Sequence, residues 1–173
     1  MEQIINNAIT IARNFVGTLE DPPNSNHGDV IDKIQKEFGF NGVQYCALFV
    51  QYVYKRAFES SPFPGTASSQ TLFEWAKDKG YTSTNFDELQ PGDIIIWRKF
   101  KLWQGHVGLV VSVNQKLKSF ITVEGNTSNN DYGDQRDGGG IFKRIRFMKK
   151  RDFVVDAFYL RGFIKIRSVL GNS

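Results

Sequence analysis

Cysteine is nearly absent from this chain: Cys46 stands alone among 173 residues. An intrachain disulfide is therefore excluded, the fold has to be held by its core, and the thiol is left for other uses. Histidine is almost as scarce. With only His27 and His106, a zinc site rich in sulfur and imidazole is not expected. Long apolar runs are missing too, since stretches such as Ile94 to Trp97 fall far short of the roughly 18 residues of a membrane span. The start, Met1-Glu2-Gln3-Ile4, has no basic region followed by an apolar block and a small-residue cleavage site. The expectation is a chain made in the cytoplasm without a classical secretory signal. What is present is a core: 40% hydrophobic and 14% aromatic residues exclude wholesale disorder, and at roughly 150 residues per domain the length predicts a single domain over residues 1–173.

Charge is divided unevenly. The net charge of +4 conceals 7 basic and 12 acidic side chains over residues 1–97, against 15 basic and 6 acidic over 98–173. Such a basic half suits an anionic polymer or an acidic protein as partner, or is a solvated lysine-rich surface. The cluster Lys143, Arg144, Arg146, Lys149, Lys150 and Arg151 has no zinc-finger or RNP pattern around it, so no specific nucleic-acid recognition is expected.

The first half reads as helices. Ile4, Ile5, Ala8, Ile11, Ala12 and Phe15 repeat at three and four residues and predict a helix over 2–16 ending near Gly17. Asp21 to Asn26 is a loop, and Val30, Ile31, Ile34 and Phe38 mark a second helix stopped by Gly39. A third helix over 46–58 places Cys46, Phe49, Val50, Val53, Tyr54 and Ala57 on one face, so the thiol sits in the first turn and points inward. A fourth runs from about Ser69 to Lys79 with Ser68 as its cap. After Gly80 strands take over, at Ile94–Trp97, 105–113, 118–125, 140–147 and 153–166. Helices first and an antiparallel sheet afterwards make the fold class α+β.

A cysteine on an apolar helix face is most often a small core residue. The first helical turn changes its prospects, because free N–H groups and the positive end of the helix dipole favour thiolate over thiol. A thiolate nucleophile needs a base, and His106, flanked at short range by Gly105 and Gly108, is better placed than His27 in its Pro/Asn/Ser loop. A hairpin turn centred near Gln115 sets Glu124 directly across from His106. Sliding by two residues brings Asn126 opposite instead, whereas a slip of one presents Gly125 and turns both polar side chains away. Either Glu124 or Asn126 could orient the imidazole and stabilise its protonated form. Asp131, Asp134 and Asp137 do not follow the alternate-ligand spacing of a calcium loop, so no metal is expected there. The sequon Asn126-Thr127-Ser128 is read as accidental.

Four short stretches now stand in order: Gln44-Tyr45-Cys46-Ala47-Leu48-Phe49-Val50, Pro91-Gly92-Asp93-Ile94-Ile95-Ile96-Trp97, Gly105-His106-Val107-Gly108-Leu109-Val110 and Val123-Glu124-Gly125-Asn126. Together they resemble the CHAP domains (cysteine, histidine-dependent amidohydrolases/peptidases) of the NlpC/P60 and papain-like cysteine peptidase superfamily, over a core of about 15–147. The resemblance implies a papain-like fold with Cys46 as nucleophile, His106 as base, and Glu124 or Asn126 orienting it. The Cys46 N–H and the Gln44 side chain, with Tyr45 beside them, would hold the oxyanion and substrate. It also implies peptidoglycan as substrate, cut as an amidase or endopeptidase, with no cofactor. Some members carry an aspartate-rich calcium loop shortly before the cysteine, but Phe38 to Tyr45 has no carboxylate. The expected protein is a monomer acting on the cell wall, delivered by lysis or by a secretion machine, and paired with an immunity protein if it is an effector. Rival readings are an acyltransferase of the same fold, and a non-catalytic binder of an anionic wall polymer or protein.

Overall fold

A computed structural model describes residues 1–58, 60–129, 138–148 and 158–171. The helices come first: α1 (Glu2–Asn14), α2 (Asp29–Lys36), α3 (Cys46–Phe58) and α4 (Ser69–Asp78). A short strand β1 (Thr82–Ser83) and a single 3-10 turn (Phe86–Glu88) lead to β2 (Ile94–Lys99), β3 (Gly105–Asn114), β4 (Ser119–Thr127), β5 (Gly140–Phe147), β6 (Phe158–Ile164) and a closing helix α5 (Ile166–Leu170). The strands form one sheet in the order β1-β6-β2-β3-β4-β5, and every pairing in it is antiparallel. The architecture is α+β. No helix among the described residues is long and apolar enough to cross a membrane.

Strand alternation divides the core in two. Ile94, Ile96, Val107, Leu109, Val111, Val123 and Ile141 turn to the helices, joining the buried faces of α1, α2, α3 and α4. Ile95, Trp97, Val110 and Phe120 turn to the other face and pack with Leu89, Phe158, Leu160 and Phe163. Helix α3 lies between α1 and the sheet, so Ala47, Leu48 and Gln51 are buried as well as the face that the period predicts. The last strand is predicted over 153–166, and its described part runs from Phe158 to Ile164; residues 149–157 lie outside the described residues.

The β3–β4 hairpin departs from the simplest pairing. Near the turn Val113 pairs with Phe120, but beyond a bulge between Val110 and Ser112 the partners are Val110↔Thr122 and Leu109↔Val123. The extra residue moves the register by one across the bulge. Val113 consequently joins the face of Val110 rather than that of Val107, Leu109 and Val111, where simple alternation puts it. At the site end the pairing is displaced by two residues from the one that sets Glu124 across from His106. That shift keeps the parity on which the polar pair depends.

Candidate active site

Three buried glutamines fix the surroundings of Cys46. Gln35 on α2 donates to the Asn26 carbonyl at 2.5 Å and accepts the Val43 N–H at 2.9 Å, holding the segment that enters α3. Gln51, one turn past Cys46, donates to the Thr66 carbonyl at 2.6 Å and accepts the N–H groups of Gly65 and Thr66. Gln70 in α4 donates to the Trp97 carbonyl at 2.8 Å and accepts from Arg161 Nη1 at 2.8 Å. A buried amide without partners costs about 1–3 kcal/mol, so these loops are held in place rather than merely near. The start of α3 also lies close against β4. A Cβ built on Gly125 would stand 3.0 Å from Phe49 Cβ and 3.2 Å from the Tyr45 ring, so a side chain there would crowd both.

His106 lies at the start of β3, fully buried, with its ring centroid 5.8 Å from that of Trp97 on the paired strand. Its Nε2 is 2.9 Å from Glu124 Oε2, and the imidazole is close enough to the Cys46 thiol for the two to influence each other's charge. With Nε2 engaged by the carboxylate, Nδ1 is the nitrogen left for sulfur. Glu124 reaches His106 diagonally across the hairpin. A Cβ on Gly108 would sit 2.8 Å from Glu124 Cγ, so a bare backbone at 108 makes the room.

The carboxylate is held from its far side as well. Arg146 on β5 donates from Nε to Glu124 Oε1 at 2.8 Å and from Nη2 to Oε2 at 2.5 Å, while its guanidinium lies 5.5 Å from the Trp97 ring centroid. Thr122 Oγ1 donates to Oε1 at 2.5 Å. Burial works against the ionised carboxyl of Glu124, yet the charge and hydrogen bonds of Arg146, followed by those of His106, hold it well below the usual carboxylate range. For His106, burial favours the neutral ring, but the influence of Cys46 and the hydrogen bond and charge of Glu124 outweigh it and raise the pKa to about 9. At neutral pH the imidazolium is the favoured state.

Cys46 opens onto a cleft of about 360 Å³ lined by Gln44, Ala67, Ser68, Ser69, Trp103, Gln104 and Gly105. The Cys46 N–H belongs to the first turn of α3, whose donors have no acceptor within the helix. This arrangement has what amide cleavage by a thiol requires: a nucleophile, a base held to it, an acid group orienting the base, and donors beside the sulfur. Asn126 is buried with φ 56 at the end of β4, and it is Glu124 rather than Asn126 that takes the imidazole Nε2. Tyr45 is buried under the site, and burial, reinforced by the nearby Glu20 charge, pushes its phenol well above the ordinary value. His27 stands apart, paired with Asp32 at 2.9 Å.

A CHAP domain family model matches residues 38–126, just over half of the chain. The chain belongs to the CHAP domain family. No curated protein matches it. Membership carries the papain-like fold and places the chain among cysteine- and histidine-dependent amidohydrolases and peptidases. The matched CHAP stretch contains Gln44, Tyr45, Cys46, His106, Glu124 and Asn126. It stops short of Arg146, the partner of Glu124.

Arg146 is the main site residue that sequence reasoning missed. It was read as part of a basic surface cluster, but Arg144 and Arg146 are both buried, and Arg144 Nη1 donates to the Ser128 carbonyl at 3.0 Å. Ile145 and Phe147 on the same strand are exposed, so β5 inverts the usual pattern. Lys149, Lys150 and Arg151 of that cluster lie outside the described residues, as do Asp131, Asp134 and Asp137. Among the described residues no group of three or more His, Cys, Asp or Glu is arranged to hold a metal ion. The complete burial of Asn126 fits an accidental sequon, since a glycan needs a surface.

Proposed function

We propose that this chain is a peptidoglycan hydrolase, an amidase or endopeptidase that cleaves an amide in bacterial cell-wall peptides through a thioester on Cys46. The observation that carries the proposal is the buried His106–Glu124 hydrogen bond with the Cys46 thiol coupled to the same imidazole, within a chain of the CHAP family. His106 holds the proton drawn from the thiol, and Cys46 sulfur attacks the amide carbonyl. The tetrahedral oxyanion is held by the Cys46 N–H and the Gln44 side chain. The carbon–nitrogen bond then breaks as the imidazolium gives its proton to the leaving amine. Water, deprotonated by the imidazole, attacks the thioester and releases a carboxylic acid and the thiol. Glu124 stabilises the imidazolium throughout, in the manner of the third member of a triad, and Asn126 supports the same end of β4.

The test is digestion of purified sacculi with wild type and Cys46→Ala, followed by mass measurement of the fragments. Release by wild type alone, with one new amine and one new carboxylate per cut, is the expected result and names the bond. Equal release by both proteins would remove the hydrolase, and an acyl group passed to an added amine would favour a transferase. Gln44→Ala should slow turnover by roughly a hundredfold, the loss typical of one oxyanion donor.

A further inference from the structure

The turn that joins β2 to β3 presents apolar side chains that the core does not use. Phe100, Leu102 and Trp103 are 60%, 45% and 67% exposed, three large groups within four positions. Apolar residues scattered singly are ordinary on a surface, whereas a cluster marks an interaction site. The turn is hydrogen-bonded: the Lys99 N–H donates to the Gln104 carbonyl at 2.9 Å, the Leu102 N–H to the Lys99 carbonyl at 3.1 Å, and Arg98 Nε to the Leu102 carbonyl at 2.9 Å. Its charge is of one sign. Arg98, Lys99 and Lys101 flank the apolar groups, and no carboxylate occurs in sequence between Asp93 and Glu124, both of them buried. Glu74 on α4 is close enough to Arg98 to feel its charge, but it is paired with Arg161. Lys101 Nζ lies 5.5 Å from the Phe100 ring centroid and Lys99 Nζ 6.0 Å from that of Phe158.

We propose that this turn docks on an anionic lipid bilayer, with Phe100, Leu102 and Trp103 entering the headgroup boundary and Arg98, Lys99 and Lys101 lying against the lipid phosphates. An indole, apolar along its body and polar at its N–H, favours that boundary, and long basic side chains keep their charged ends in the headgroups. A soluble anionic polymer would meet the basic groups but gain nothing from Phe100 and Leu102. A protein partner of ordinary size contacts roughly 20–30 residues, whereas this apolar cluster is confined to the turn between Lys99 and Gly105. Because Trp103 and Gln104 also line the cleft at Cys46, docking holds that cleft at the lipid surface.

The test is co-sedimentation of the full chain with vesicles of equal parts phosphatidylglycerol and phosphatidylcholine, and with vesicles of phosphatidylcholine alone. Each basic group near an anionic surface adds roughly fivefold in affinity, so wild type should prefer the mixed vesicles by about tenfold or more. That preference should fade at about 1 M salt, where the screening length is about 3 Å. Lys101→Asn removes one charge and keeps a residue that tolerates φ 57; it should weaken binding about fivefold. Phe100→Ser/Leu102→Ser should weaken it by about tenfold or more with the melting temperature unchanged, since both side chains are exposed. Lipid brominated along its acyl chains should quench tryptophan emission in wild type, and Trp103→Phe should remove that quenching. Absence of binding to the mixed vesicles, binding that ignores Phe100→Ser/Leu102→Ser, or wild type held as tightly by polyglutamate as by the vesicles overturns the proposal, and the last result assigns the turn to an acidic polypeptide. Digestion of sacculi is read separately, so loss of the docking leaves the hydrolase standing, and the reverse holds.

Discussion

Replacing Arg146 with methionine isolates the contribution of the buried charge behind the site. Methionine keeps much of the length and apolar contact of the arginine stem against Trp97 while removing both donors to Glu124. In the folded protein the Glu124 side chain is 0% exposed and that of Arg146 6%, so solvent cannot take over the lost contacts. Breaking a buried pair by removing one member typically costs about 3–5 kcal/mol, because a charge is left behind in the core. In a chain of this size each kcal/mol moves the melting temperature by about 2–4 °C, so Arg146→Met should melt roughly 6–20 °C lower. The double variant Arg146→Met/Glu124→Gln removes the stranded charge and should recover most of that loss. Urea denaturation of the four proteins, with m unchanged, gives the coupling energy. An Arg146→Met protein within about 1 kcal/mol of wild type, or a coupling below about 0.5 kcal/mol, would refute the assignment of Arg146 as the counter-charge of Glu124. Activity provides a second reading. Without Arg146, burial raises the Glu124 pKa, the carboxyl stabilises the imidazolium less, and the alkaline limb of kcat/KM moves to lower pH.

Other consequences follow from the same geometry. In wild type kcat/KM should fall as pH rises through about 9, where His106 loses its proton and can no longer protonate the leaving amine; Glu124→Gln should move that limb to lower pH, and an unmoved limb would count against the His106–Glu124 pair. Gly108→Ala puts a Cβ 2.8 Å from Glu124 Cγ and should cost about 1–3 kcal/mol in a urea melt together with a loss of kcat. Asp93 accepts the N–H groups of Gln90 and Ile166, and burial raises its pKa from 3.8 to about 6 against those bonds. The folded state therefore binds the extra proton, so the contribution of Asp93 to stability declines as pH rises from about 4 to 6 and is flat above; Asp93→Asn should flatten that slope.

The helices were legible because their information is local. The expected span of α3, 46–58, is the observed one, and α1 and α4 end within two residues of their predicted ends, since apolar residues three and four apart need only a core on one side. The sulfur, the imidazole and the carboxylate were legible from chemistry and from motif order. What failed depends on partners far along the chain. The β3 bulge is set by how the strand fits its neighbours, and a hairpin centred near Gln115 puts Glu124 two residues too far from the turn along β3. The glutamines at 35, 51 and 70 could have been suspected as uncharged polar residues on otherwise apolar helix faces. For Arg146 even the pattern misleads: Ile145 is 64% exposed while the arginines beside it are buried, because Arg146 meets an acid on β4 and Arg144 the Ser128 carbonyl.

That inversion has a physical reason in the site itself. With the proton on His106, the buried groups run thiolate, imidazolium, carboxylate, guanidinium, each charge beside one of opposite sign. When the proton returns to sulfur, the outer pair Glu124 and Arg146 still cancels. Proton transfer between Cys46 and His106 therefore leaves the net charge of these four groups at zero, and neither state strands an ion among them in a medium where an unpaired charge costs several kcal/mol. A triad ending at the carboxylate would carry one unbalanced negative charge in both states. The arginine closes that gap, which is why a basic side chain on an edge strand points inward while its hydrophobic neighbours face water.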